Sequence, residues 1–133
     1  MVIHDLCRWP LAISTMSGTV TNQEYLDFLA AWGTWLDRGE RFASLRRFTD
    51  AASLVHPQGS AKEAKKWLQD NGARIRSHVV GLVTVVPAEC LEAASRMDAE
   101  KLFGVPALTC SDLDQGLDWI ATRFEQIGLS PVP

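Results

Sequence analysis

Hydrophobic positions along the chain recur with two periods, and each change of period marks an element. WPLAISTMSG, residues 9–18, mixes β-branched and apolar residues and stops at a Gly, as a strand does. VIHDLC just before it is a candidate partner strand, with the turn near Arg8 to Pro10. From Thr21 the period becomes helical: Tyr25, Phe28, Leu29, Trp32 and Leu36 share one face, opened by the capping box Thr21-x-x-Glu24 and closed at Gly39. RFASLRRFT, residues 41–49, reads as a strand, although Arg46 and Arg47 put a charge on each of its faces, in conflict with burial on both sides.

Ser60-x-x-Glu63 reads as a second capping box, ahead of Ala64, Trp67, Leu68 and Ile75 on one helical face, with Asn71-Gly72 as a candidate break or kink. VVGLVTVV, residues 79–86, has the nearly unbroken apolar character of a central parallel strand. Pro87 suits a first helical turn, and Leu91, Ala94, Ser95 and Leu102 trace one shorter helix ending at Gly104. VPALTC supplies a last brief strand. Ser111 with Asp114 is expected to cap a final helix carrying Leu113, Leu117, Ile120, Ala121 and Phe124, stopped by Gly128 and a Pro-containing tail. This alternation predicts an α/β fold: a single-layer, open, mostly parallel sheet of four to five strands, mixed through an N-terminal hairpin, with four helices in one domain spanning 1–133.

Composition narrows the function classes. With 133 residues, 47% hydrophobic, the chain is long enough to bury its own core. A net charge of -3, with basic and acidic residues scattered, offers no footprint for nucleic acid. Cys7, Cys90 and Cys110 are odd in number and far apart, so neither a disulfide framework nor a metal site is expected, and a reducing cytoplasm fits best. His4, Asp5 and Arg8 interrupt the first apolar stretch, and the run from Val79 to Val86 is too short to span a bilayer, so neither an export signal nor membrane insertion is expected.

The element order, the segment WPLAISTMSGTVTNQEYLDFLAAWGTWLDRGE, the run VVGLVTVVP and the closing LFGVPALTCSDLDQGLDWI together resemble the SpoIIAA-like branch of the STAS superfamily, named for sulphate transporters and anti-sigma-factor antagonists. The resemblance runs from about Val2 to Phe124. It implies a module that works by binding protein partners, nucleotides or small ligands and is not an enzyme. Anti-sigma antagonists switch on a serine within an Asp-Ser-Ser-Gly-like motif after the third strand. Here the comparable place holds Gly59-Ser60 without that tetrapeptide, so no phospho-switch is carried over to Ser60.

Candidate chemistry gathers in FTDAASLVHPQGSAKE, residues 48–63. Ligands of open α/β sheets collect beyond the carboxyl ends of the strands, which places Asp50, Ser53, His56, Gly59 and Ser60 on the expected ligand- or partner-binding edge. Each also has a structural reading: Asp50 as a loop cap, Ser60 as a helix cap, and His56, ahead of Pro57, as an exposed extended residue. An Asp50–Ser53–His56 triad has no support beyond proximity in sequence. Cys90 is a candidate reactive thiol at a helix start, where a dipole favours thiolate, against the alternative of an inert packed residue. His4 reads as a terminal strand residue and His78 as the end of a helix. Trp32 and Trp67 fit the core, whereas Trp35 and Trp119, at or off the edges of their stripes, either anchor a partner or cover the sheet. The resulting expectation is a non-catalytic cytosolic regulatory module acting through an unknown protein partner or small ligand, without cofactor and compatible with a homodimer. The alternatives are a carrier of a small molecule or lipid in a pocket between sheet and helices, and a thiol enzyme using Cys90.

Overall fold

A computed structural model describes residues 1–129; the Pro-containing tail lies outside the described residues. Its elements are β1 (Val2–Asp5), β2 (Leu11–Met16), α1 (Asn22–Asp37), β3 (Phe42–Phe48), α2 (Ala61–His78), β4 (Val79–Val85), α3 (Leu91–Ser95), α4 (Ala99–Phe103), β5 (Ala107–Cys110) and α5 (Leu113–Ile127). The fold is α/β. The five strands lie in sequence order, β1 antiparallel to β2 and the other neighbours parallel. Strands laid down in sequence order by crossovers of one hand return their connecting helices to the same face. Accordingly, residues of α1, α2 and α4 share one core with Ala12, Phe42 and Leu82 of the sheet, while α5 packs on the opposite face against Ala43, Leu45 and Val83.

Local chemistry explains most boundaries. Thr21 and Glu24 exchange both bonds of the capping box that starts α1. Burial of Leu29, Trp32, Trp35 and Leu36 then holds α1 on the sheet, at roughly 1.5–3 kcal/mol for each large apolar side chain. On the far side the approach of α5 depends on glycine. A Cβ at Gly116 would lie 2.9 Å from Val83 Cγ1, and one at Gly81 would lie 2.9 Å from Trp119 Cζ3.

Four expectations need correction. Ser60 does not cap α2: a single 3-10 turn over Gln58–Ser60 precedes the helix, so the Ser60 hydroxyl points back and donates to the Pro57 carbonyl at 3.1 Å. Asn71-Gly72 does not interrupt α2, where Asn71 Nδ2 instead donates to the Trp67 carbonyl at 2.9 Å. The single helix expected before Gly104 is two five-residue helices, because Asp98 starts a new one by accepting from the Lys101 N–H. Asp112, one residue past Ser111, caps α5 by accepting from the Asp114 N–H at 3.0 Å.

Candidate functional site

The face of the sheet covered by α1, α2 and α4 carries one polar rung between two largely apolar ones. His4 pairs with Ser14, Ser14 with Arg46, Arg46 with Thr84 and Thr84 with Thr109, so every strand contributes one polar residue to the same line. The neighbouring rungs read Ala12, Ser44, Leu82, Ala107 on one side and Val2, Met16, Phe48 on the other. Period-2 alternation turns all five polar side chains towards the helices, where a stability-optimised core would be hydrocarbon.

One end of the rung is closed. His4 Nδ1 meets Ser14 Oγ at 2.9 Å, and the His4 ring stacks on Phe28 and meets Trp35 edge-on. Burial holds the His4 pKa below its ordinary value. The other end opens. Arg46, Thr84 and Thr109 floor a cavity of about 450 Å³ under α3 and the segment after β3, within the range of small-ligand sites. Phe48, Leu54, Ala93 and Ala94 form its apolar walls, and exposed His56, Glu89 and Met97 stand at its rim. Two smaller spaces of about 50 Å³ each also reach Arg46, one beneath Tyr25, Phe28 and Ser53, the other beneath Trp32, Trp67 and Phe103.

Arg46 is where the three spaces meet. Its Nη2 donates to Thr84 Oγ1 at 2.8 Å, and Phe103 lies 5.8 Å from its guanidinium carbon. Its Nε is buried without a hydrogen-bond partner, and none of the ion pairs among the described residues includes it. As a whole residue Arg46 keeps partial exposure through the cavities that reach it, while its charged end is enclosed. Burial lowers its pKa from the ordinary arginine value to about 10, so it stays charged at neutral pH. An unpaired charge in such a place costs on the order of several kcal/mol. A side chain that destabilises its own core in this way is a candidate for the functional centre.

The sequence-selected residues divide around this centre. Ser53, His56 and Cys90 line the cavities. His56 is exposed, as its place before Pro57 suggests, and its ring meets Tyr25 edge-on at 5.5 Å. Partial desolvation of the ring at the cavity rim lowers its pKa, and the charge of Arg46 lowers it further. Asp50 is a loop clamp: its carboxylate accepts from the Gly18 N–H at 2.9 Å and the Ser53 N–H at 2.9 Å, bonds that hold its pKa below the usual carboxylate value. Ser53 Oγ returns a bond to the Asp50 carbonyl at 2.7 Å, so this pair closes the loop, and His56 hydrogen-bonds to neither. Gly59 and Ser60 lie outside the cavities; Gly59 packs against the Asn22 side chain.

Trp35 is 3% exposed and packs on His4, Trp32 and Phe42, so it is core and offers no surface to a partner. Trp119 is half-buried over Gly81. Cys90 sits in a 3-10 turn before a helix of only five residues, too short for the strong terminal dipole expected from the sequence. Among the described residues no cluster of His, Cys, Asp or Glu has the makings of a metal site, and no helix is long and apolar enough to cross a membrane. The ends of the strands do not define the site either. Sequential strand order has no reversal, and therefore none of the crevice that a reversal of strand order opens in doubly wound sheets.

Sequence reasoning missed Arg46, Thr84 and Thr109. The available signal was a charge inside a strand flanked by apolar residues, joined by the lone polar residue of VVGLVTVV. No protein-family model matches the chain, nor does any curated protein or solved structure.

Proposed function

We propose that the chain is a non-catalytic, STAS-like binding module of the cytosol that holds a small molecule, or part of a lipid, between its sheet and its helices. The observation carrying this reading is the enclosed, unpaired guanidinium of Arg46 at the junction of three spaces, the largest about 450 Å³ with apolar walls. A guanidinium that stays charged is a recognition group: at neutral pH it neither accepts nor surrenders a proton, and it orients what it binds. The hydroxyls of Thr84 and Thr109 beside it serve the same end. Binding of a protein through residues 50–60 is less well supported, since Asp50, Ser53 and Ser60 are already bonded within that segment.

Native mass spectrometry of gently purified protein tests the reading, together with the alkylation rates of two thiols. Cys90 lines the cavity, whereas Cys7 is exposed elsewhere and serves as the reference. Protein carrying its ligand should show an added mass, and Cys90 should alkylate more slowly relative to Cys7 than after organic extraction. A clean apo mass with identical relative rates before and after extraction removes the proposal.

A further inference from the structure

Building on the small-ligand reading, we infer that the ligand is an apolar monocarboxylate, its carboxylate docked on Arg46 and its hydrocarbon or aromatic body lying along Phe48, Leu54 and the α3 residues Ala93 and Ala94. Two features of Arg46 select this class. Arg46 is the one Lys or Arg lining the three spaces among the described residues, so the site neutralises a single negative charge. Its bonding is incomplete in a specific way: Nη2 is engaged by Thr84 while Nε, on the same edge of the fork, has no partner. A planar carboxylate can accept from the guanidinium N–H groups that Thr84 leaves free, and its second oxygen can accept from a threonine hydroxyl.

The surrounding charges exclude the other classes. Glu89 stands at the rim of the same cavity and opposes a second negative charge, which disfavours a phosphate dianion. Tyr25, His56 and Cys90 complete the titratable lining and add no fixed cation: burial lowers the pKa of His56 and so favours the neutral ring. A cationic ligand would meet the guanidinium head-on. A neutral ligand would leave the enclosed charge as costly as before.

The probes are decanoate and phenylacetate, each beside its primary amide, with decyl phosphate and decylamine as charge controls. Binding is read as the concentration-dependent rise in unfolding temperature and by titration calorimetry. The acids should bind at least tenfold more tightly than their amides, and the preference of one acid over the other separates aliphatic from aromatic ligands. Arg46→Met should abolish the difference between acid and amide, and Arg46→Lys, which keeps the charge but loses the fork, should retain part of it. Ala94→Phe, which fills the cavity and leaves Arg46 in place, should block the acids in a chain whose circular dichroism is unchanged. Amides binding as well as acids, decyl phosphate exceeding decanoate, or full acid binding by Arg46→Met each overturn the carboxylate while the small-ligand reading survives. If no probe of any charge binds and the purified protein is ligand-free, both fall together.

Discussion

Arg46 concentrates the conflict between stability and function in one side chain. Its charge is enclosed and unpaired, and the hydrogen bond to Thr84 offsets only part of the cost. Arg46→Met keeps the length and apolar stem of the side chain and removes the charge. It should therefore stabilise the ligand-free protein by about 1–3 kcal/mol in denaturant unfolding. If Arg46 were a structural tether, the same change would destabilise. The histidines supply a second test at this scale. His4 packs against Phe28, Trp35 and Ser14, none of them charged, and burial lowers its pKa. Between that lowered value and the ordinary 6.5, the unfolded chain binds the proton more tightly. Stability should therefore fall as pH drops through 6.5 and level off below the folded-state value, and His4→Gln should flatten the curve of urea midpoint between pH 7.5 and 5.5.

At the scale of elements, contact distances decide what can be changed. α5 lies so close to β4 that Gly116 cannot carry a side chain without displacing Val83. Ala at this position would gain about 1 kcal/mol in intrinsic helix preference. Overpacking costs about 1–3 kcal/mol and acts against β4, whose residues are all buried. Gly116→Ala should accordingly be net destabilising by about 1 kcal/mol, a loss visible in the thermal midpoint; a gain would mean that α5 shifts freely over the sheet. The elements also show how far local signals reach. The capping box at Thr21 was legible because donor and acceptor both lie within one turn. Ser60-x-x-Glu63 has the same spacing and fails, because the preceding 3-10 turn, which the pattern does not encode, rotates the hydroxyl away.

For the whole molecule, the alternation of strand-like and helix-like segments fixed the fold class, the N-terminal antiparallel pair and the mixed sheet, since hydrophobic period and turn residues are properties of neighbours in the chain. The same logic singled out Asp50, Ser53, His56, Gly59 and Ser60 but assigned them too much: Asp50 and Ser53 hold the loop, and of these five only Ser53 and His56 line a cavity. The sequence on its own therefore determined which residues face one way along each strand, and that β3 carries a charge it could not bury cheaply. Only the tertiary structure decided that His4, Ser14, Arg46, Thr84 and Thr109 stand in one row beneath the helices. Register between strands is set by pairing and packing over tens of residues, and a slip of one residue would have sent each of these side chains to the opposite face.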